Sequence, residues 1–115
     1  MYFIRTKSYY KYAVDLFKDL YKHKEGDPAL YKKAREIFEI GLKAVWSLSQ
    51  ITPPKEKPTF EELYKKTLES LSPEDASIIQ KIYQDLFFKE LSKEEILNRL
   101  DTYLSVLKEA LKPVL

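Results

Sequence analysis

The stretch that decides the fold is DPALYKKAREIFEIGLKAVWSLSQI, residues 27–51. Asp27 is a strong helix N-cap, because its carboxylate can accept the unpaired N–H groups of a first turn. Pro28 follows at the first helical position, where its fixed φ suits the helix and its missing N–H costs nothing. Leu30, Ala34, Ile37, Phe38, Gly41, Val45 and Leu48 then recur at steps of three and four, which is one helical face. Ile40, Leu42, Ala44 and Trp46 widen that face well beyond a single stripe. A helix apolar over most of its girth is surrounded by others rather than leaning on one neighbour. Gly41 in mid-helix costs about 1 kcal/mol relative to Ala, so a close helix crossing is its expected compensation. Residues 27–51 therefore read as the central helix of a bundle.

The flanking segments read as cover for it. The first secure helix runs from about Tyr9 to Lys24, with Tyr10, Ala13, Val14, Phe17, Leu20 and Tyr21 on one face. MYFIRTKS, residues 1–8, reads either as an extension of this helix or as a short packed arm. Lys22, His23 and Lys24 suit a helix C-terminus, and Gly26 supplies the stop. So short a connection to residue 27 predicts an antiparallel hairpin. TPPKEKP, residues 52–58, reads as a stiff extended crossover rather than a PxxP recognition site.

Three shorter helices follow, each with a start signal. Thr59 and Glu62 form a capping box ahead of a helix to Leu71, with Phe60, Leu63, Tyr64, Thr67 and Leu68 inward. Ser72 caps a helix that starts with Pro73 and runs to about Lys89, burying Ile79, Ile82, Tyr83 and Leu86. Ser92 and Glu95 form a second capping box, and Ile96, Leu97, Leu100, Tyr103, Leu104, Leu107 and Leu111 line the last helix up to Pro113. The expectation is a single all-α domain over residues 1–115: an antiparallel up-down bundle of about five helices.

Composition bounds the function. The chain has 115 residues, 44% hydrophobic and 33% charged, which describes one soluble globular core with a heavily solvated surface. Its lack of cysteine removes disulfides, thiolate metal sites and cysteine nucleophiles. Abundant Lys and Glu with few Asn or Gln fit an intracellular protein of a hot environment. No apolar run approaches the roughly 20 residues that span a bilayer, and no leader pattern is present, so the expected setting is cytoplasmic with no membrane partner. Net charge is +2, but residues 1–24 carry six basic side chains against two acidic ones, leaving a net −2 on the remaining 91. Such an asymmetry can bias where an anionic partner lands.

Catalytic signatures are absent from the sequence. His23 is the only histidine, which removes His-based zinc and di-iron sites, and at a helix end it reads as a surface residue. Asp15 with Asp19, and Glu36 with Glu39, each pair carboxylates on one helical face, an arrangement open to acid–base work or a hard cation. Basic neighbours at helical spacing (Lys11, Lys18, Lys22; Lys32, Lys33, Arg35, Lys43) predict a salt-bridge-laced surface instead. There is no Gly-rich phosphate loop and no Gly-x-Ser-x-Gly elbow. Neither a cofactor nor a metal is implied.

Two features point to binding. Arg5, Lys7, Tyr9, Tyr10, Lys11 and Tyr12, with Tyr2 ahead of them, interleave aromatics with cations, as stacking bases and neutralising phosphates require. Tyr2, Phe3, Tyr12, Tyr31, Trp46 and Phe88 form an aromatic surplus on competing faces, and leftover aromatic area marks a protein–protein interface, self-association included.

The helix order also carries a resemblance. A hairpin whose second member reads KKAREIFEIGLKAVWSL (residues 32–48), then the Pro-rich crossover, then PTFEELYKKTLESL (residues 58–71) and two further helices resembles the HEPN-type bundle. These are the higher-eukaryote and prokaryote nucleotide-binding domains, and the resemblance spans about Ser8 to Leu111. It implies dimerisation, and either ribonuclease activity or partnership with a nucleotidyltransferase of the toxin–antitoxin kind. The active branch carries an arginine followed four to six residues later by histidine, late in the domain. Here Arg99 has no histidine after it, so no family site residue transfers. The combined expectation is a non-catalytic, HEPN-like module engaging a protein partner or a second copy of itself. The alternative is a nucleic-acid-binding bundle using the tyrosine-rich basic helix.

Overall fold

The structure, a computed structural model, describes residues 2–50 and 56–115. Five helices account for most of them: α1 (Tyr2–Leu20), α2 (Pro28–Leu48), α3 (Phe60–Ser70), α4 (Pro73–Phe88) and α5 (Lys93–Leu111), with a 3₁₀ turn over Lys112–Val114. Among the described residues there is no strand.

Four of the helices start where their caps predict. Asp27 Oδ1 accepts from the Ala29 N–H at 2.9 Å, and Pro28 opens α2. Thr59 and Glu62 close a capping box on α3, as Ser92 and Glu95 do on α5. Ser72 Oγ accepts from the Asp75 N–H at 3.2 Å at the head of α4. Each cap satisfies backbone donors that the first turn leaves unpaired.

The first helix takes one of the two alternatives expected for its start and departs from expectation at its end. It begins at Tyr2, so the lead-in is helical, and it ends at Leu20, not Lys24. Leu20 is fully buried, whereas Tyr21 is 59% exposed and meets the core only edge-on at Phe17, with ring centroids 5.7 Å apart. Lys22 and His23 donate from their backbone N–H groups to Asp19 and Leu20 in turns, and Lys18 is left as the cation of the last helical turn. Gly26, at φ +83°, is where the chain turns towards Asp27, in a region that favours glycine. Of the extended crossover expected over residues 52–58, residues 52–55 lie outside the described residues, and residues 56–58 are not helical.

α2 contacts each of the other four helices, as its wide apolar girth requires. Buried Thr6 near the start of α1 donates to the Ala44 carbonyl near the end of α2 at 3.0 Å, so these two helices are antiparallel. α5 runs parallel to α2: Leu91, just before it, meets Tyr31, and further along Tyr103 meets Phe38. Phe38 is the hub of the core. The rings of Phe60, Tyr64, Tyr83, Phe87 and Tyr103 all lie within 6.4 Å of its centroid. Beneath them Gly41 admits α5: a Cβ there would lie 2.6 Å from Tyr103 Cε2 and 2.8 Å from Leu107 Cδ1.

Candidate functional site

α2 is enclosed on three sides only. Its remaining side carries Lys32, Arg35, Glu36, Glu39, Lys43 and Trp46, all exposed or half-buried, with an open groove on each flank. Glu39 borders both grooves.

The groove on the α1 flank is a cavity of 380 Å³. Arg5 and Tyr9 enter it from α1 one turn apart, Lys43 and Trp46 from α2, and Glu56 and Lys57 from the segment preceding α3. Three cations and two carboxylates thus ring two aromatic side chains. Among the described residues, none of these five charges lies within 4 Å of an opposite one. Such a cavity can hold an anionic group against an aromatic wall.

The opposite flank is aromatic. Phe60, Tyr64, Tyr83 and Phe87 are half-buried and stack in a continuous run outward from Phe38. Phe88 ends the run, 72% exposed and edge-on to Tyr83 at 5.5 Å. Burial, helped by neighbouring Tyr83, pushes the Tyr64 phenol above its ordinary pKa. Arg35 clamps this flank to α2: its Nε donates to the Leu86 carbonyl at 3.2 Å, and its guanidinium lies 5.5 Å from the Phe87 centroid.

The residues singled out in the N-terminal cluster part company once α1 is wound. Arg5 and Tyr9 reach the groove. Lys7 and Lys11, four residues apart, sit exposed on the outer face, and Tyr12 is 50% exposed. Tyr10 points the other way, donating to the Leu104 carbonyl of α5 at 3.4 Å, where burial raises its pKa. Of the aromatic surplus, Trp46 lines the groove and Phe88 is solvent-exposed, whereas the Tyr31 hydroxyl is engaged inside the chain. It donates to the Leu91 carbonyl at 2.6 Å and accepts from the Leu91 N–H at 3.0 Å. The side chains of Tyr2 and Phe3 lie outside the described residues.

The expected lacing of surface salt bridges is sparse. Asp19 pairs with Lys22 at 3.5 Å, but among the described residues Glu36 and Glu39 take no part in the Lys or Arg ion pairs, nor in the His23–Asp27 contact. His23 pairs with Asp27 at 3.0 Å, tying the turn to the N-cap of α2. That hydrogen bond, with the one from Ala29, holds the Asp27 carboxyl below its ordinary pKa.

Asp85 escaped the sequence reading. Its side chain is 3% exposed, bonded to Arg99 Nε at 2.9 Å and Lys89 Nζ at 3.0 Å. The covering is thin, because Arg99 and Lys89 are themselves 30% and 62% exposed. The Arg99 hydrogen bond outweighs desolvation and holds the carboxyl low. A signal was present: Asp85 falls three residues after buried Ile82, in the apolar row of α4, with Lys89 four residues on.

Among the described residues no group of three or more His, Cys, Asp or Glu side chains converges as a metal site would need. No family model, no curated protein and no solved structure matches this chain.

Proposed function

We propose that this chain is a non-catalytic interaction module, a homodimer or an accessory subunit, that presents one side of a helical bundle to a protein partner. The observation that carries the reading is the aromatic run from buried Phe38 through Tyr83 to Phe88. An exposed phenylalanine backed by half-buried rings is the anatomy of an interface core. The helix order, a long hairpin followed by a crossover and three shorter helices, supports reading the module as HEPN-like, with a nucleotidyltransferase-type protein as the partner class. Native mass spectrometry of the untagged protein tests it. A ligand-free dimer supports the module, whereas a monomer carrying nucleotide or oligonucleotide mass overturns it.

The α1-flank groove favours a second reading, in which single-stranded nucleic acid lies against Trp46 and Tyr9 with phosphates at Arg5, Lys43 and Lys57. With three phosphates neutralised, log K should fall with log[salt] at a slope of about −2. Anisotropy of a labelled oligonucleotide measures it, and Lys43→Glu should weaken binding more than Lys11→Glu. Binding indifferent to salt would remove this reading.

A further inference from the structure

The exposed side of α2 reads Lys32-x-x-Arg35-Glu36-x-x-Glu39: two positive residues, then two negative, spaced symmetrically about the Arg35–Glu36 peptide bond. These same four line a cavity of 290 Å³ whose remaining walls are Phe60 and Phe87. A charge row of this kind is its own complement. Turned end for end by a two-fold axis through its midpoint, it sets Lys32 against Glu39 and Arg35 against Glu36 on both sides, four opposite pairs and no like pair. We infer that this face, walled by Phe60 and Phe87, docks a second copy of the same chain laid antiparallel across α2. The inference rests on the interaction-module reading and names the occupant.

Three observations select that occupant. First, among the described residues the charges are not spent within the chain. Lys32–Glu36 and Arg35–Glu39 have i,i+4 spacing, but a base preceding an acid is the weaker order, and among the described residues neither pair is closed within 4 Å. Arg35 bonds to backbone carbonyls instead, which fixes its guanidinium without neutralising it. Second, the register is specified. A slide of one turn sets Glu36 against Glu39 and Lys32 against Lys43, and a slide the other way sets Lys32 against Arg35. Third, other partners fit worse. A nucleic acid meets Glu36 and Glu39 with the wrong sign, and a uniformly acidic or basic peptide is repelled by half the row.

Sedimentation velocity over a concentration series, at low and high salt, tests it. Lys32→Glu and Glu39→Lys each put like charges together at two symmetric positions, and each should weaken self-association about tenfold or more. Mixed in equal amounts, the two variants regain opposite signs at every outer pair and should form a heterodimer. Lys7→Glu, on the outer face of α1, should change nothing. Thermal melts report whether each variant is folded; if Glu39→Lys is not, Glu36→Lys tests the inner pair in its place. A wild-type dimer that ignores the α2 substitutions overturns this face while leaving self-association standing. A wild type that stays monomeric at about 0.1 mM overturns both.

Discussion

The Tyr103 ring lies against the bare backbone of Gly41, and its hydroxyl donates to the Phe38 carbonyl one turn earlier in α2 at 2.7 Å. One aromatic side chain of α5 thus uses both the missing Cβ and a backbone acceptor of the central helix. Tyr103 is fully buried and stacks on Phe38 at 4.6 Å, so it has nowhere to retreat.

Gly41→Ala therefore sets two effects against each other. Helix propensity favours alanine by about 1 kcal/mol. Overpacking against a fixed ring costs about 1–3 kcal/mol and takes precedence here, because the blocked atoms belong to a pinned side chain. Urea unfolding should show net destabilisation. In a Tyr103→Leu background only Leu107 Cδ1 still meets the added Cβ, so the cost should shrink, and that non-additivity identifies the Tyr103 contact. Equal effects in both backgrounds would refute it.

Asp85 gives a prediction with a definite pH sense. Its native pKa lies below the ordinary value of 3.8, so on acidification the unfolded chain takes up the proton first. The stabilisation is therefore present above about pH 4 and lost as pH falls through the lower native value. Arg99→Met removes the largest cause of the depression, so the acid-unfolding midpoint should move to higher pH. At neutral pH the loss should be roughly 1–2 kcal/mol rather than the 3–5 of a deep ion pair, since both cations keep much of their water. An acid titration followed by circular dichroism checks both statements.

Tyr31→Phe isolates a second interior role. The hydroxyl satisfies both backbone groups of Leu91 in the short α4–α5 connection. Its removal leaves them to find other partners, at about 1–3 kcal/mol. For a domain of this size that corresponds to a Tm drop of at least about 4 °C. An unchanged Tm would show that water replaces the hydroxyl at no cost.

How much was legible in advance follows from the range of the interactions. Caps are local, so Asp27, Thr59, Ser72 and Ser92 announced their helices within four residues. Gly41 announced a close approach, because a mid-helix glycine needs compensation, but nothing near it named Tyr103, which lies 62 positions away. The N-terminal cluster was contiguous in sequence, and helical winding dispersed it: Tyr9 and Tyr10 are adjacent, yet one faces the groove and the other α5. The groove itself was hidden because Lys43, Trp46 and Lys57 come from segments that only tertiary packing brings to Arg5. Asp85 was overlooked for a related reason. An acid in an apolar row is readable, but its partner Arg99 sits on the next helix.

Phe87 and Phe88 are adjacent, but Phe87 belongs to both the core and the α2 face, whereas Phe88 tests association apart from folding. Phe87 is half-buried among Phe38, Phe60 and Tyr83, so Phe87→Ser should cost about 2–3 kcal/mol of stability. Phe88 touches Tyr83 only edge-on and is 72% exposed, so Phe88→Ser should change stability by no more than about 0.5 kcal/mol. If the aromatic flank meets a partner, the exposed ring carries contact energy that the isolated fold does not use. Phe88→Ser should then weaken self-association at least about fivefold while its melting curve overlays the wild type. Paired melts and sedimentation profiles of the two variants measure this. Association that persists in a folded Phe88→Ser protein would leave Phe88 outside the partner surface and the α2 face as its remaining candidate.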